Sequence, residues 1–232
     1  MGNLYLIRHG QASFGASDYD VLSPLGVRQA QLLGGFLADA GIRLDRCFAG
    51  GLRRQQDTAT HALAKLPGAP GLQTDARFDE FDAQGVIRAL VPGLVPDEPE
   101  ALHILRNAAD HPAQFQRLFE RIIERWLDGA EGPAASESWA AFLARTGEAL
   151  DEVLAAARPG ENVAIFTSGG VITALLHRYT GLAASEAFRL NWQIYNSSLS
   201  HLRFRGTDVT LASFNSHAHL QLARAPELVT WR

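Results

Sequence analysis

The sequence predicts an α/β protein: a mainly parallel central sheet, helices on both faces, one antiparallel strand, and a helical insertion over the C-terminal edge of the sheet. Three observations predict it. The runs Leu4–Ile7 and Val163–Phe166 are apolar without polar alternation, as in strands buried on both faces. Helical periodicity alternates with the strands, which favours parallel pairing through crossover helices. A block at about 85–150 breaks that alternation and reads as helix only. The 232 residues, 47% of them hydrophobic, suit a single domain over 1–232 with a sizeable core and this block as a cap.

The elements follow in order. A strand covers about 3–8, then a polar loop, 11–23, rich in Gly, Ser and Asp. Ser23-Pro24 reads as an N-cap with proline at the first helical position, opening a helix to about Ala40 that Gly41 closes. Arg46–Ala49 is a short strand and Arg53–Leu66 a helix; Pro67-Gly68-Ala69-Pro70-Gly71 forces a turn before a strand at Leu72–Thr74. After the loop Asp79-Glu80-Phe81-Asp82 and prolines 92, 96 and 99, the amphipathic stretch Glu100–Leu127 reads as two helices broken near His111-Pro112. Gly129–Ser138 is a linker whose last residue caps a helix over Trp139–Ala157, stopped by Pro159-Gly160. Val163–Thr167 is the best buried-strand candidate; Ser168-Gly169-Gly170 turns it into a helix, Val171–Tyr179, ended by Gly181. Strands at about 198–204 and 209–214 close the chain around a turn containing Gly206.

A net charge of −4 argues against a general nucleic-acid binder. The single cysteine, Cys47, cannot form an internal disulfide and reads as a core residue. No cationic leader with an apolar segment precedes the first strand, and no apolar run nears 20 residues; the expectation is a cytoplasmic protein with no membrane partner. Trp126, Trp139 and Trp192 read as core or as an apolar pocket wall, with core favoured.

Three strand ends carry the chemistry. The first is Arg8-His9-Gly10: a planar fork for phosphate, an imidazole that titrates near neutrality, and a glycine that lets backbone approach a ligand. The second is Gly50-Gly51-Leu52-Arg53-Arg54 and the third Thr167-Ser168-Gly169-Gly170, each between a strand and a helix. Helix N-termini after parallel strands present N–H groups to anions, so convergence of these ends would build a phosphate pocket. The bland reading of the first is a polar exit from a strand, and of Arg54 an exposed helical arginine. From the residues alone, any of Asp79, Glu80 and Asp82 could act as an acid.

In order and spacing these segments resemble the histidine phosphatase superfamily, also called the phosphoglycerate-mutase-like family, over nearly the whole chain. Ile7-Arg8-His9-Gly10 is similar to its Arg-His-Gly motif. Leu22-Ser23-Pro24-Leu25-Gly26 with Gln29-Ala30 is similar to its Leu-Thr/Ser-x-x-Gly-x-x-Gln-Ala helix start. Leu52-Arg53-Arg54 with Thr58-Ala59 resembles its Leu-x-Arg-Ala-x-x-Thr-Ala motif, a spacing that selects Arg54 over Arg53. Phe78-Asp79-Glu80 resembles the segment that supplies its acid. The resemblance implies a phosphomonoester hydrolase needing no metal and no cofactor. His9 would attack phosphorus, Arg8 and Arg54 would hold the non-bridging oxygens, and Glu80 would protonate the leaving oxygen and then activate water. Arg8, Gly10, Gln11, Ser13, Arg54, Ser168 and Gly169 would bind phosphate, or sulfate in its place. The partner would be a small phosphorylated substrate, and the helical block would roof the pocket and set specificity.

The chain departs from the pattern. The family carries Ser/Thr-His-Gly-Gly after the late strand; Ser168 stands at the histidine. Serine donates one neutral hydrogen bond and supplies no cation, and losing a transition-state donor costs about 2.7–4 kcal/mol. The expectation is a weakened site with its nucleophile intact. Gly15 stands at a frequent asparagine, so Gln11 or Ser13 would contact phosphate instead, and Gly50 replaces a common serine. The family often has Asn-x-x-x-His-Leu near the end, which makes His219 a structural residue and His217 a candidate substitute for the missing histidine. A metal site at His217-x-His219 lacks an evident third ligand. Histidines 61, 103, 111, 177 and 201 have no partner in sequence. Two alternatives stand beside the hydrolase: a non-catalytic phosphate- or phosphopeptide-binding module, and, with less support, a phosphoglycerate-type mutase, which must hold its phosphoenzyme against water.

Overall fold

Strand β1 (Gly2–Arg8) is followed by α1 (Pro24–Asp39), whose N-cap Ser23 accepts from the Gly26 N–H at 3.0 Å. Gly41, at φ 67°, turns the chain out of that helix into β2 (Arg46–Ala49). Helix α2 (Arg53–Leu63) stops short of the expected Leu66. Lys65 and Leu66 instead bond carbonyls three residues back, a tightened last turn forced by Pro67 ahead. Next come β3 (Leu72–Thr74), α3 (Ala83–Leu90), α4 (Ala101–Arg106), α5 (Pro112–Leu127) and α6 (Trp139–Ala155). The last third comprises β4 (Asn162–Thr167), α7 (Gly169–Thr180), α8 (Ala184–Asn191), β5 (Leu199–Arg205), β6 (Asp208–Ser216) and α9 (Ala218–Leu222). This computed structural model describes residues 1–13, 20–132 and 136–231.

Sequence patterning did not anticipate α3, α8 or α9. Asp82, read only as an acid candidate, caps α3 by accepting from the Gly85 N–H at 2.9 Å. Helix α8 has no side-chain cap and buries only Ala187 and Phe188, so its local signal is weak. Helix α7 begins at Gly169 rather than Val171; two glycines in a first turn run against propensity.

The described chain forms two compact units, Met1–Glu80 with Arg145–Arg232, and Phe81–Ala144. The first holds a six-stranded sheet in the order β3-β2-β4-β1-β5-β6. β1, β2, β3 and β4 pair in parallel, and β5 pairs antiparallel with both β1 and β6, so β5 alone runs against the rest. Tyr5, Ile7, Cys47, Ala49, Ala164 and Phe166 face Leu33 and Leu37 of α1 and Ala59 and Ala62 of α2. Burial pushes the Cys47 thiol up to about 12. Leu4, Leu6, Val163 and Ile165 alternate to the opposite face and are fully buried, on the side where α7 meets β1 and β6. Burial of both faces is why these strands read as unbroken apolar runs. The second unit is centred on Phe81, Trp126, Trp139 and Phe142, with ring centroids 4.7 Å apart for Phe81–Trp126 and 5.4 Å for Trp126–Trp139. No helix among the described residues is long and apolar enough to cross a membrane.

One close approach positions the loop after β1. A Cβ on Gly26 would lie 2.2 Å from the Gln11 carbonyl oxygen, and one on Gly10 would lie 2.5 Å from the Gly26 carbonyl oxygen. Both obstructions are backbone, which cannot rotate away. Gly35, in the same helix as Gly26, meets nothing within 4 Å. Gly26→Ala should therefore lose about 1–3 kcal/mol of unfolding free energy. Gly35→Ala should gain about 0.5–1 kcal/mol from helix propensity. Urea unfolding of the two variants checks the pair; equal effects would contradict the packing described.

Candidate active site

β1 and β4 end in register, Arg8 opposite Thr167, and β2 ends with Ala49 opposite Phe166. His9, Ser168 and Gly50 are thus the next residues on three neighbouring parallel strands. The backbone continues the ladder past the strands: the His9 N–H donates to the Thr167 carbonyl at 2.9 Å and the Gly50 N–H to the Phe166 carbonyl at 3.2 Å. The three strand ends converge at the edge where open α/β sheets bind ligands.

His9 is 5% exposed. Its Nδ1 lies 2.7 Å from the Gly10 carbonyl, an acceptor only, so Nδ1 carries the proton. Arg54 donates its Nε–H to His9 Nε2 at 3.3 Å, which leaves Nε2 as the lone-pair nitrogen. Desolvation, then the charge of Arg54 and that of Arg8, hold the His9 pKa well below its usual 6.5. The ring is neutral, with one tautomer fixed. The motif threonine explains part of this geometry: Thr58 Oγ1 accepts from the Gly10 N–H at 2.9 Å and donates to the Arg54 carbonyl at 2.6 Å, joining strand end to helix.

Arg54, 9% exposed, is aimed by a residue that sequence reasoning missed. Asp20 pairs with Arg54 Nη1 at 2.6 Å and also accepts from the Arg53 N–H at 2.8 Å, so it caps α2, whose N-cap Leu52 offers no side-chain bond. An aspartate 34 positions from Arg54 in a polar loop left no local signal. Arg8 is half-buried; its Nη1 donates to the Ile194 carbonyl and, at 3.1 Å, to the Trp231 carbonyl. A Cβ on Gly169 would lie 3.9 Å from Arg8 Nε and 2.3 Å from Asn191 Oδ1, so this glycine admits both side chains.

The three acids separate. Glu80 Oε2 accepts from the Gly170 N–H at 3.0 Å, at the N-terminus of α7. Asp79 accepts from the Gly51 N–H, and burial raises its pKa. Asp82 serves α3, as described above.

The other sequence-predicted ligands differ in setting. The Gln11 side-chain oxygen accepts from Ser23 Oγ at 2.8 Å, and its N–H donates to Gln29 Oε1 at 2.8 Å. The Ser13 N–H donates to the Val21 carbonyl at 2.8 Å. Gly15 lies outside the described residues. Ser168 is fully buried, and its Oγ accepts from Gln55 Nε2 at 2.8 Å. His217 packs on Tyr195, ring centroids 4.1 Å apart, and meets the Asn215 carbonyl at 3.2 Å. His219 Nε2 meets Ser197 Oγ at 2.9 Å, and Ser197, at φ 55°, donates its N–H to the His9 carbonyl at 3.1 Å. Of the three tryptophans, Trp126 and Trp139 are buried core, whereas Trp192, half-buried, lines a pocket of about 220 Å³ with Gln193, Tyr195 and Trp231.

A sequence model of the histidine phosphatase superfamily (branch 1) matches residues 4–217. Among curated proteins, a 2,3-bisphosphoglycerate-dependent phosphoglycerate mutase of Rhizobium rhizogenes (strain K84) is 36% identical over 126 residues, 48% of this chain and 56% of that protein. The chain spans about half the length of the curated relatives it matches. Among solved structures, a mycobacterial glucosyl-3-phosphoglycerate phosphatase superposes with a TM-score of 0.62 at 22% identity, covering 93% of this chain and 99% of that one. A phosphoglycerate mutase of Bacillus anthracis str. Sterne gives 0.64 at 18% identity, covering 97% of each. At these identities the structures establish a shared fold.

A lowered His9 pKa has a defined pH consequence. The unfolded chain takes up a proton on His9 near pH 6.5 and the folded chain does not. The contribution is therefore present above pH 6.5 and lost as pH falls below it. Nitrogen-detected NMR of the imidazoles at pH 5.5 should show His9 still neutral and protonated on Nδ1. An imidazolium signal for His9 at that pH would overturn the geometry described.

Proposed function

The chain belongs to the histidine phosphatase superfamily, and on that premise we propose that it hydrolyses phosphomonoesters through a phosphohistidine on His9. The observation that carries this reading is the neutral His9 ring, its Nδ1–H tied to the Gly10 carbonyl and its Nε2 lone pair beside the Arg54 guanidinium. A nucleophile needs an unprotonated nitrogen, and a phosphoryl group needs cations at its oxygens; here burial, helped by the two arginines, keeps the imidazole neutral, and the same arginines supply the charge.

In the first step Nε2 attacks phosphorus, the bond to the ester oxygen breaks, and Glu80 gives that oxygen its proton. In the second step Glu80 takes a proton from water, the water oxygen attacks phosphorus, and the P–N bond breaks to release inorganic phosphate. Arg54 and Arg8 offset charge on the non-bridging oxygens and Ser168 donates a neutral hydrogen bond; the Gln11 and Ser13 side chains and the Gly169 N–H offer further donors to the phosphate, while Gly10, its N–H held by Thr58, lets the loop pass close to it. The Gly170 N–H, donating to Glu80 Oε2 at 3.0 Å, holds this carboxyl group at the first turn of α7 for both steps.

One observation favours the alternative, a phosphate-binding module without turnover: Ser168 gives the site a neutral donor in place of a cation. A chromogenic aryl phosphate separates the readings. The reading predicts turnover that His9→Ala abolishes and that Arg54→Ala lowers by roughly 10²–10³. Equal background rates from the wild type and His9→Ala would contradict it, and calorimetric phosphate binding that needs Arg54 would then favour the module.

A further inference from the structure

Gln55 is fully buried, one residue past Arg54, where the superfamily motif has alanine. Its Nε2 donates to Ser168 Oγ at 2.8 Å and to the Phe78 carbonyl at 3.2 Å, and the second contact fixes which end of the amide is nitrogen. Its Oε1 is fully buried and accepts no hydrogen bond from any of the described residues. That oxygen occupies space that a side chain at position 50 would need: a Cβ on Gly50 would lie 1.9 Å from it. Positions 50, 55 and 168 therefore interlock. Each departs from the motif serine, alanine and histidine, and each departure fits the others.

Two consequences follow from the geometry. An imidazole on residue 168 extends beyond the present Oγ, where the Gln55 amide stands 2.8 Å away, so ring and amide compete for one volume. Ser168 Oγ, already accepting from the amide, has its own hydrogen left to donate, and a donated hydrogen is what a phosphoryl oxygen requires.

We propose that Gln55 is a positioning residue: it orients the Ser168 hydroxyl as a neutral donor to the transferring phosphoryl group, and with Gly50 it excludes a second imidazole from the site. This rests on the phosphohistidine reading above. The site is then a self-consistent neutral-donor variant of its superfamily, and reverting Ser168 alone does not restore a cation.

The test is a double-mutant cycle in the full chain, Ser168→His and Gln55→Ala singly and together, assayed with 4-nitrophenyl phosphate from pH 5 to 9, with thermal midpoints for every variant. Ser168→His alone should lower both kcat and the midpoint. Gln55→Ala alone should lower kcat while KM moves by less than about threefold, since the donor acts on the transition state. The double variant should exceed Ser168→His in kcat by on the order of 10². It should also gain a pH-dependent limb between about pH 5 and 8 that the wild type lacks. Multiplicative, independent effects on kcat, or a kcat unchanged by Gln55→Ala, would overturn the inference. If no variant turns over substrate above His9→Ala, the phosphohistidine reading fails and the positioning role with it. The steric part is then decided by the midpoints: a loss from Ser168→His that Gln55→Ala relieves supports it, and equal losses in both backgrounds overturn it.

Discussion

The parallel pairing of β1 with β4, ending at Arg8 opposite Thr167, is the constraint on which the site depends. Side chains alternate along a strand, so a slip of one residue would turn His9 toward the opposite face and separate it from Ser168. The register is held by burial on both faces: Leu4, Leu6, Val163 and Ile165 on one, Tyr5, Ile7, Ala164 and Phe166 on the other. It is locked at its end by the His9 N–H on Thr167 and by the Gly10 N–H on Thr58. A core built for packing thus delivers three strand ends and two helix N-termini to one edge.

Charge within this frame is arranged around a neutral ring. The arginines at positions 8 and 54 raise the cost of protonating His9, and burial does so more strongly. Each arginine is itself held: Arg54 by Asp20, Arg8 by the carbonyls of Ile194 and Trp231. Glu80 rests on the first turn of α7, its Oε2 held by the Gly170 N–H. Orientation here comes from partners distant in sequence, so the geometry is a property of the whole sheet edge rather than of any single motif.

That division also explains what the sequence made legible. The parallel sheet, the Ser23 cap, the Gly41 and Gly181 stops and the convergence of Arg8-His9-Gly10 with Arg54 rest on local patterns or on spacing, and the structure contains them. Asp20 was not legible, because its role is an ion pair across 34 positions. Gln55 was not either: a glutamine near a helix start reads as solvated, and only the tertiary neighbours Ser168, Phe78 and Gly50 make it a buried hydrogen-bonding group. Asp82, in sequence one of three candidate acids with Asp79 and Glu80, caps α3 in the fold; one carboxylate serves either purpose equally well in sequence.

The central claim is that His9 Nε2 bonds to phosphorus. Rapid acid-free quenching of the protein with a radiolabelled aryl phosphate, followed by peptide mapping, tests it directly. The account predicts an acid-labile, alkali-stable phosphoryl adduct on Nε2 of His9 that forms and decays at rates consistent with turnover. An adduct on Ser168 or elsewhere, or turnover with no adduct at all, would contradict it.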